Sequence, residues 1–93
     1  MAIQMPRLVA NDTVVAAELE GEMVLLNAET GIYFGLDALG TQIWQLLMSG
    51  ATPEETVESL LTEYEVEPAK LRADVTEFLD QLVARGLMQV ASA

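Results

Sequence analysis

Carboxylates are nearly the whole stock of reactive side chains in this chain. Fifteen Asp and Glu stand against four Lys and Arg in 93 residues, with no histidine and no cysteine. That set excludes disulfides, thiolate metal sites, imidazole bases and every Ser-His or Cys-His nucleophile arrangement. Catalysis would have to rest on paired carboxylates, for which Glu54-Glu55 and Asp74 with Glu77 are the candidates. Both pairs fall on the outer faces of predicted helices, where charge serves mainly to keep a protein solvated. There is no Asp-x-Asp calcium loop, and Gly31 to Gly40 lacks the spacing and the cation of a phosphate cradle. The sequence predicts a protein that is not an enzyme and needs no metal and no cofactor.

The charge balance narrows the partners as well. A formal net charge of −11 opposes the phosphate neutralisation that duplex binding requires. A 52% hydrophobic fraction with 20% charged residues fits a folded domain, and the length predicts a single one over residues 1–93. The amino-terminal MAIQMPRLVA has no apolar stretch of signal-peptide length, and no segment is long enough to span a bilayer. The expectation is a cytoplasmic protein without a membrane contact, with residues 1–12 as a flexible amino-terminal segment. Asn11-Asp12-Thr13 fits a glycosylation sequon, which has no meaning in that compartment.

Two halves of different period must position whatever site exists. Strand-like segments run over Val14–Leu19, Met23–Asn27 and Ile32–Leu36, separated by Glu20-Gly21 and by Ala28-Glu29-Thr30-Gly31. Such short connections predict a three-stranded antiparallel meander. The period then becomes helical. Asp37 is a plausible N-cap for a helix to Met48, closed by Gly50, with Trp44 in its apolar face. Thr52-Pro53-Glu54-Glu55 reads as a capping box with proline at the first helical position, opening a helix to about Tyr64. A third helix starts at Glu67-Pro68, carries Leu71, Val75, Phe78, Leu79, Leu82 and Val83 as its stripe, and ends at Gly86. Three strands followed by three helices predict an α+β domain of winged-helix type.

In this meander the second strand is central and the outer two are edges. Asp12, Glu18 and Glu20 guard the first edge, whereas Ile32 to Leu36 has no charge, no proline and two aromatic rings. Two readings of the second edge stand. Part of the chain itself, Gln89-Val90 or the tail before Thr13, covers it. Otherwise an extended peptide joins it as a further strand. Gly35 would let a foreign backbone approach, or it marks the bend into the first helix. Pairing Asn27 with Ile32 sets Leu25 opposite Phe34 and Met23 opposite Leu36. Ile32, Phe34 and Leu36 then face the helices and Tyr33 faces away. If the Phe78 margin of the third helix faces this strand, a groove forms with an apolar floor and Asp74 as an acidic lip.

The order and spacing of Tyr33-Phe34-Gly35-Leu36-Asp37, Gly40, Ile43-Trp44, Leu46-Leu47 and Thr52-Pro53-Glu54-Glu55 resemble the PqqD-like family. So does Asp74-Val75-x-x-Phe78-Leu79-x-x-Leu82-x-x-x-Gly86-Leu87. Members of this family are recognition elements for ribosomally made, post-translationally modified peptides, and the Tyr-Phe-Gly-Leu-Asp form looks like the stand-alone proteins of lasso-peptide clusters. The resemblance implies that a precursor's leader segment adds to the third strand, between it and the third helix. The strand surface would be Ile32, Tyr33, Phe34, Gly35 and Leu36, and the helix wall Leu71, Asp74, Val75 and Phe78. It implies as partners the precursor peptide, a leader peptidase and a macrolactam synthetase, with the protein monomeric when peptide-bound. A chaperone of PqqD type for a radical enzyme is the alternative within the family. A winged-helix nucleic-acid binder would need a basic recognition helix, and the third helix sets Lys70, Arg72 and Arg85 against Asp74, Glu77 and Asp80. A domain pairing its free edge with a second copy is the remaining reading.

Overall fold

The computed structural model describes residues 8–90, in the order β1 (Leu8–Ala10), β2 (Val14–Leu19), β3 (Glu22–Asn27), β4 (Tyr33–Gly35), α1 (Ala38–Met48), α2 (Pro53–Leu61), α3 (Pro68–Ala84) and β5 (Met88–Val90). The central plan is the expected one, a β2-β3-β4 antiparallel meander followed by three helices. Glu20 and Gly21 both take positive φ, 52° and 85°, which is the backbone of a two-residue hairpin that matches strand twist. β3 and β4 adopt the register set by the Asn27–Ile32 pairing, with Leu25 opposite Phe34 and Leu26 opposite Tyr33.

The helix ends follow their local chemistry. Asp37 caps α1 by accepting from the Gly40 amide at 2.7 Å. At α2, the Glu55 amide donates to the Thr52 hydroxyl at 3.1 Å and the Thr52 amide to the Glu55 carboxylate at 2.9 Å. This is the reciprocal capping box, contributing about 1 kcal/mol. α2 stops at Leu61, three residues before Tyr64, which is exposed and bonds to Gln42 through its hydroxyl. α3 ends in a Schellman motif, with Gly86 at φ 73°, its amide on the Val83 carbonyl and the Leu87 amide on the Leu82 carbonyl.

The amino-terminal segment departs from expectation. Leu8–Ala10 is a strand, pairing antiparallel with Met88–Val90 in a separate two-stranded sheet, while residues 1–7 lie outside the described residues. The physical reason is burial, since Leu8 and Met88 both enter the core. This ribbon also bears on edge cover, among the described residues. β1 and β5 cover each other, and neither reaches β4.

The core joins Leu25 and Leu36 from the sheet to Ile43, Trp44 and Leu47 of α1, Val57 and Leu60 of α2, and Leu71, Val75, Leu79 and Leu82 of α3. Val83, placed in the stripe by periodicity, is instead largely solvent-facing. Two polar residues fasten sheet to helices. The Thr41 hydroxyl of α1 accepts from the Met23 amide at 3.1 Å. Asn27 is only 3% exposed and serves four partners. Its Oδ1 accepts from the Thr13 hydroxyl and the Glu29 and Thr30 amides at 3.0, 2.9 and 3.3 Å. Its Nδ2 donates to the Gly86 carbonyl at 3.0 Å, which ties the β3–β4 hairpin to the end of α3.

Replacing Asn27 should therefore cost more than one hydrogen bond, because the loss leaves buried polar groups unmatched. Asn27→Ala is expected to lower unfolding free energy by about 2 kcal/mol in a urea titration. Asn27→Asp keeps the acceptor but turns an oxygen toward the Gly86 carbonyl, so it should also destabilise; a neutral result would show that this bridge is not holding the two elements.

Candidate functional site

The β3–β4 ladder decides which backbone groups are left over. The Asn27 amide donates to the Ile32 carbonyl and the Leu36 amide to the Met23 carbonyl, both at 2.8 Å. Residues 32, 34 and 36 thus turn their polar groups toward β3. By the alternation of an antiparallel pair, Tyr33 and Gly35 turn their N–H and C=O groups outward. Among the described residues no strand pairs with that side, since β4 ends the sheet. A Cβ at Gly35, which would point to the face of the sheet away from the helices, would meet nothing within 4 Å.

Side chains build a trough beside this edge. Phe34 points to the helices and is half-buried, its ring edge-to-face with Phe78 of α3 at 6.4 Å and 66°. The Arg85 guanidinium lies 5.0 Å from the centre of the Phe34 ring. At the carboxyl end of β4 a cleft of about 250 Å³ opens between α1 and α3, lined by Asp37, Leu39, Gly40, Ile43, Asp74, Val75 and Phe78. A smaller hollow of about 90 Å³ adjoins it through Leu39 and Asp74 and is floored by Leu71. Gly40 fits this shape closely, because a Cβ there would sit 3.2 Å from the Asp37 Oδ1 that caps α1 and 3.3 Å from the Phe78 ring, and both would have to shift slightly.

The expected site residues thus divide by depth. Phe34, Phe78, Val75 and Asp74 come together around the cleft. Leu36, Leu71 and Val75 are buried at 3%, 4% and 0% exposure, so they shape the site from beneath. Tyr33 faces away from the helices and is 72% exposed, and Ile32, expected among the helix-facing residues, is 42% exposed because the strand has barely begun there. Asp74 is an exposed lip, paired with Lys70 at 3.4 Å. Sequence reading gave no site role to Arg85, Asp37, Leu39 or Gly40. Arg85 was accessible to it, since it lies seven residues beyond Phe78 on the same helical face.

Other features are distant. Cavities of about 290 and 270 Å³ lie along the β1–β5 ribbon, the larger against Thr76, Leu79, Asp80 and Val83 on the other flank of α3. They are larger than the cleft but have neither the aromatic pair nor the meander's open edge. The Arg72 hydrogen bond holds the Glu54 carboxyl below its ordinary value, joining α2 to α3. That contribution is present above the unfolded carboxyl's pKa and is lost as pH falls through the lowered one. Among the described residues no three acidic side chains converge as they would around a metal ion, and no helix is long and apolar enough to cross a membrane. The site offers strand pairing plus apolar anchorage.

Comparison with known proteins agrees with this geometry. The family model described as coenzyme PQQ synthesis protein D (PqqD) matches residues 22–88. TbiB1 in complex with the TbiA(beta) leader peptide is similar at 40% identity and a TM-score of 0.84, covering 90% of this chain and 98% of that one. Lasso peptide synthetase B1 complexed with the leader peptide is similar at 26% identity and a TM-score of 0.84, over 89% and 98% of the two chains. No curated protein matches.

Gly40→Ala tests the cleft wall. Its gain in helix propensity, about 1 kcal/mol or less in this first turn, opposes the cost of displacing the Phe78 ring and the capping Asp37 oxygen, so stability should change little. The Phe78 ring resonances should nevertheless shift in an NMR spectrum, and unmoved resonances would mean that the ring does not rest on Gly40.

Proposed function

The chain belongs to the PqqD family, and we propose that it captures the leader segment of a ribosomally synthesised precursor peptide as an added strand on β4. The observation that carries this reading is the outward-facing backbone of Tyr33 and Gly35, which no other described strand pairs with while β1 and β5 pair with each other. An extended peptide would take up those N–H and C=O groups and set alternate side chains toward the trough. Phe34 and Phe78 would contact its apolar residues. Leu36, Leu71 and Val75 would support the floor from the core, Ile32 would flank the entrance, and Asp74 would meet a basic residue.

No bond is made or broken in this role. The protein binds, and modifying enzymes act on the peptide it holds, at a raised local concentration. A leader peptidase and a macrolactam synthetase are the partners of a lasso system, and the cytoplasm is where such a precursor is made. The two solved structures support a lasso system over a PqqD-type chaperone for a radical enzyme. A nucleic-acid role is disfavoured, because Lys70 and Arg72 of α3 are already engaged with carboxylates. Pairing through two short strands buries less than the ~800 Å² per partner of a standard interface, so affinity would rest on the anchored side chains.

The edge can be blocked without disturbing the sheet, because the Gly35 amide takes no part in the β3–β4 ladder. Gly35→Pro should leave the domain folded and abolish binding of a fluorescent TbiA(beta) leader peptide, and Phe34→Ala should weaken it at least tenfold (about 1.4 kcal/mol). Asp74→Lys should weaken peptides with a basic residue and spare neutral ones. Undiminished affinity in both Gly35→Pro and Phe34→Ala would place the binding surface elsewhere.

A further inference from the structure

The groove wall contributed by α3 carries opposite charges at its two ends. At 3.6 residues per turn, Asp74, Phe78 and Arg85 fall within about 40° of one another on the helix. They form one line facing β4, with the carboxylate at the first end, the aromatic ring between, and the guanidinium at the last. Two placements fix how this line lies against the strand. Arg85 lies over the Phe34 ring, and Asp37 and Asp74 both line the cleft at the other end. β4 and the groove-facing line of α3 therefore run in opposite directions.

Arg85 differs from Lys70 and Arg72, the other described cations. Lys70 is paired with Asp74 and Arg72 with Glu54. Among the described residues Arg85 alone has no carboxylate within ion-pairing distance, in a chain of net charge −11. Its side chain is exposed and held over the Phe34 ring by cation–π attraction, with the guanidinium edges left free to donate. A planar guanidinium placed this way suits a bidentate carboxylate.

The geometry points to Arg85 as the residue that reads an acidic side chain of the bound peptide and fixes which way round it lies. This rests on leader capture at β4. Asp74 and the C-cap Arg85 are eleven positions apart, roughly 16 Å of rise, which an extended peptide spans in about five residues. The peptide class is an extended segment with apolar anchors, an Asp or Glu at the Arg85 end and a basic or neutral residue about five positions away. Reversed, the same peptide would set its carboxylate against Asp37 and Asp74. Like charges then disfavour the wrong orientation.

Panning a phage-displayed random dodecapeptide library on the full chain tests this without a known leader. The wild-type protein should enrich Asp or Glu at one position relative to the apolar anchors. Arg85→Gln should lose that preference, and Arg85→Glu should replace it with Lys or Arg at the same position. For a selected peptide, changing the acid to its amide should weaken wild-type binding roughly fivefold and leave Arg85→Gln binding unchanged. If Arg85 only steadied Phe34, both variants would weaken all peptides equally and the acidic preference would persist, which would overturn the assignment. The same follows if selected peptides blocked by Gly35→Pro show no acidic position. If the wild-type protein selects no peptide at all, leader capture itself fails and the role of Arg85 with it.

Discussion

The carboxamide of Asn27 is the constraint on which the site depends. It organises the β3–β4 loop through two amides, receives the Thr13 hydroxyl, and reaches across to the last carbonyl turn of α3. One side chain thereby sets both where β4 begins and how far the end of α3 stands from it. Burial raises the cost of losing any one of these bonds, because no water is at hand to replace it.

A second fixed point lies at the opposite end, where Gly40 lets the Phe78 ring rest against the first turn of α1. Between these points the aromatic pair Phe34–Phe78 is half-buried, which leaves ring surface free to contact a guest without opening the core. The buried Leu36, Leu71 and Val75 fill the space beneath, so the floor is rigid while the rim is polar. The arrangement suits a preformed surface whose cost of binding lies mostly in ordering the peptide.

Much of this was legible in the residues. Thr52-Pro53-Glu54-Glu55 and Asp37 announce helix starts through side chains that can only act locally, and the hairpin loop fixes the β3–β4 register and with it the face of Phe34. The third strand was recognisable as an edge from the meander order, and as an unprotected one because it carries no charge. What could not be read are contacts between distant segments. Nothing local in Leu8–Ala10 says that it will pair with Met88–Val90, since three-residue strands lack a period of their own and the pairing depends on a shared core. The Asn27–Gly86 bond spans 59 positions, and the placement of Arg85 over Phe34 depends on it. Depth was also misjudged at the strand ends. Ile32 alternates correctly yet lies beyond the cover of the helices, and on α3 Val83 has helical spacing but only borders a cavity against the β1–β5 ribbon instead of packing into the core.

The small β1–β5 ribbon has a consequence for architecture. Leu8 stands directly opposite Val90, so the described chain enters and leaves the fold at neighbouring points, alongside the flank of α3 turned away from β4. A unit whose two ends meet this way can be spliced into a surface loop of a larger polypeptide, or attached at either end, without threading a tether across the trough. Geometry of this kind makes the described unit portable, because both of its ends leave from the same side of the fold.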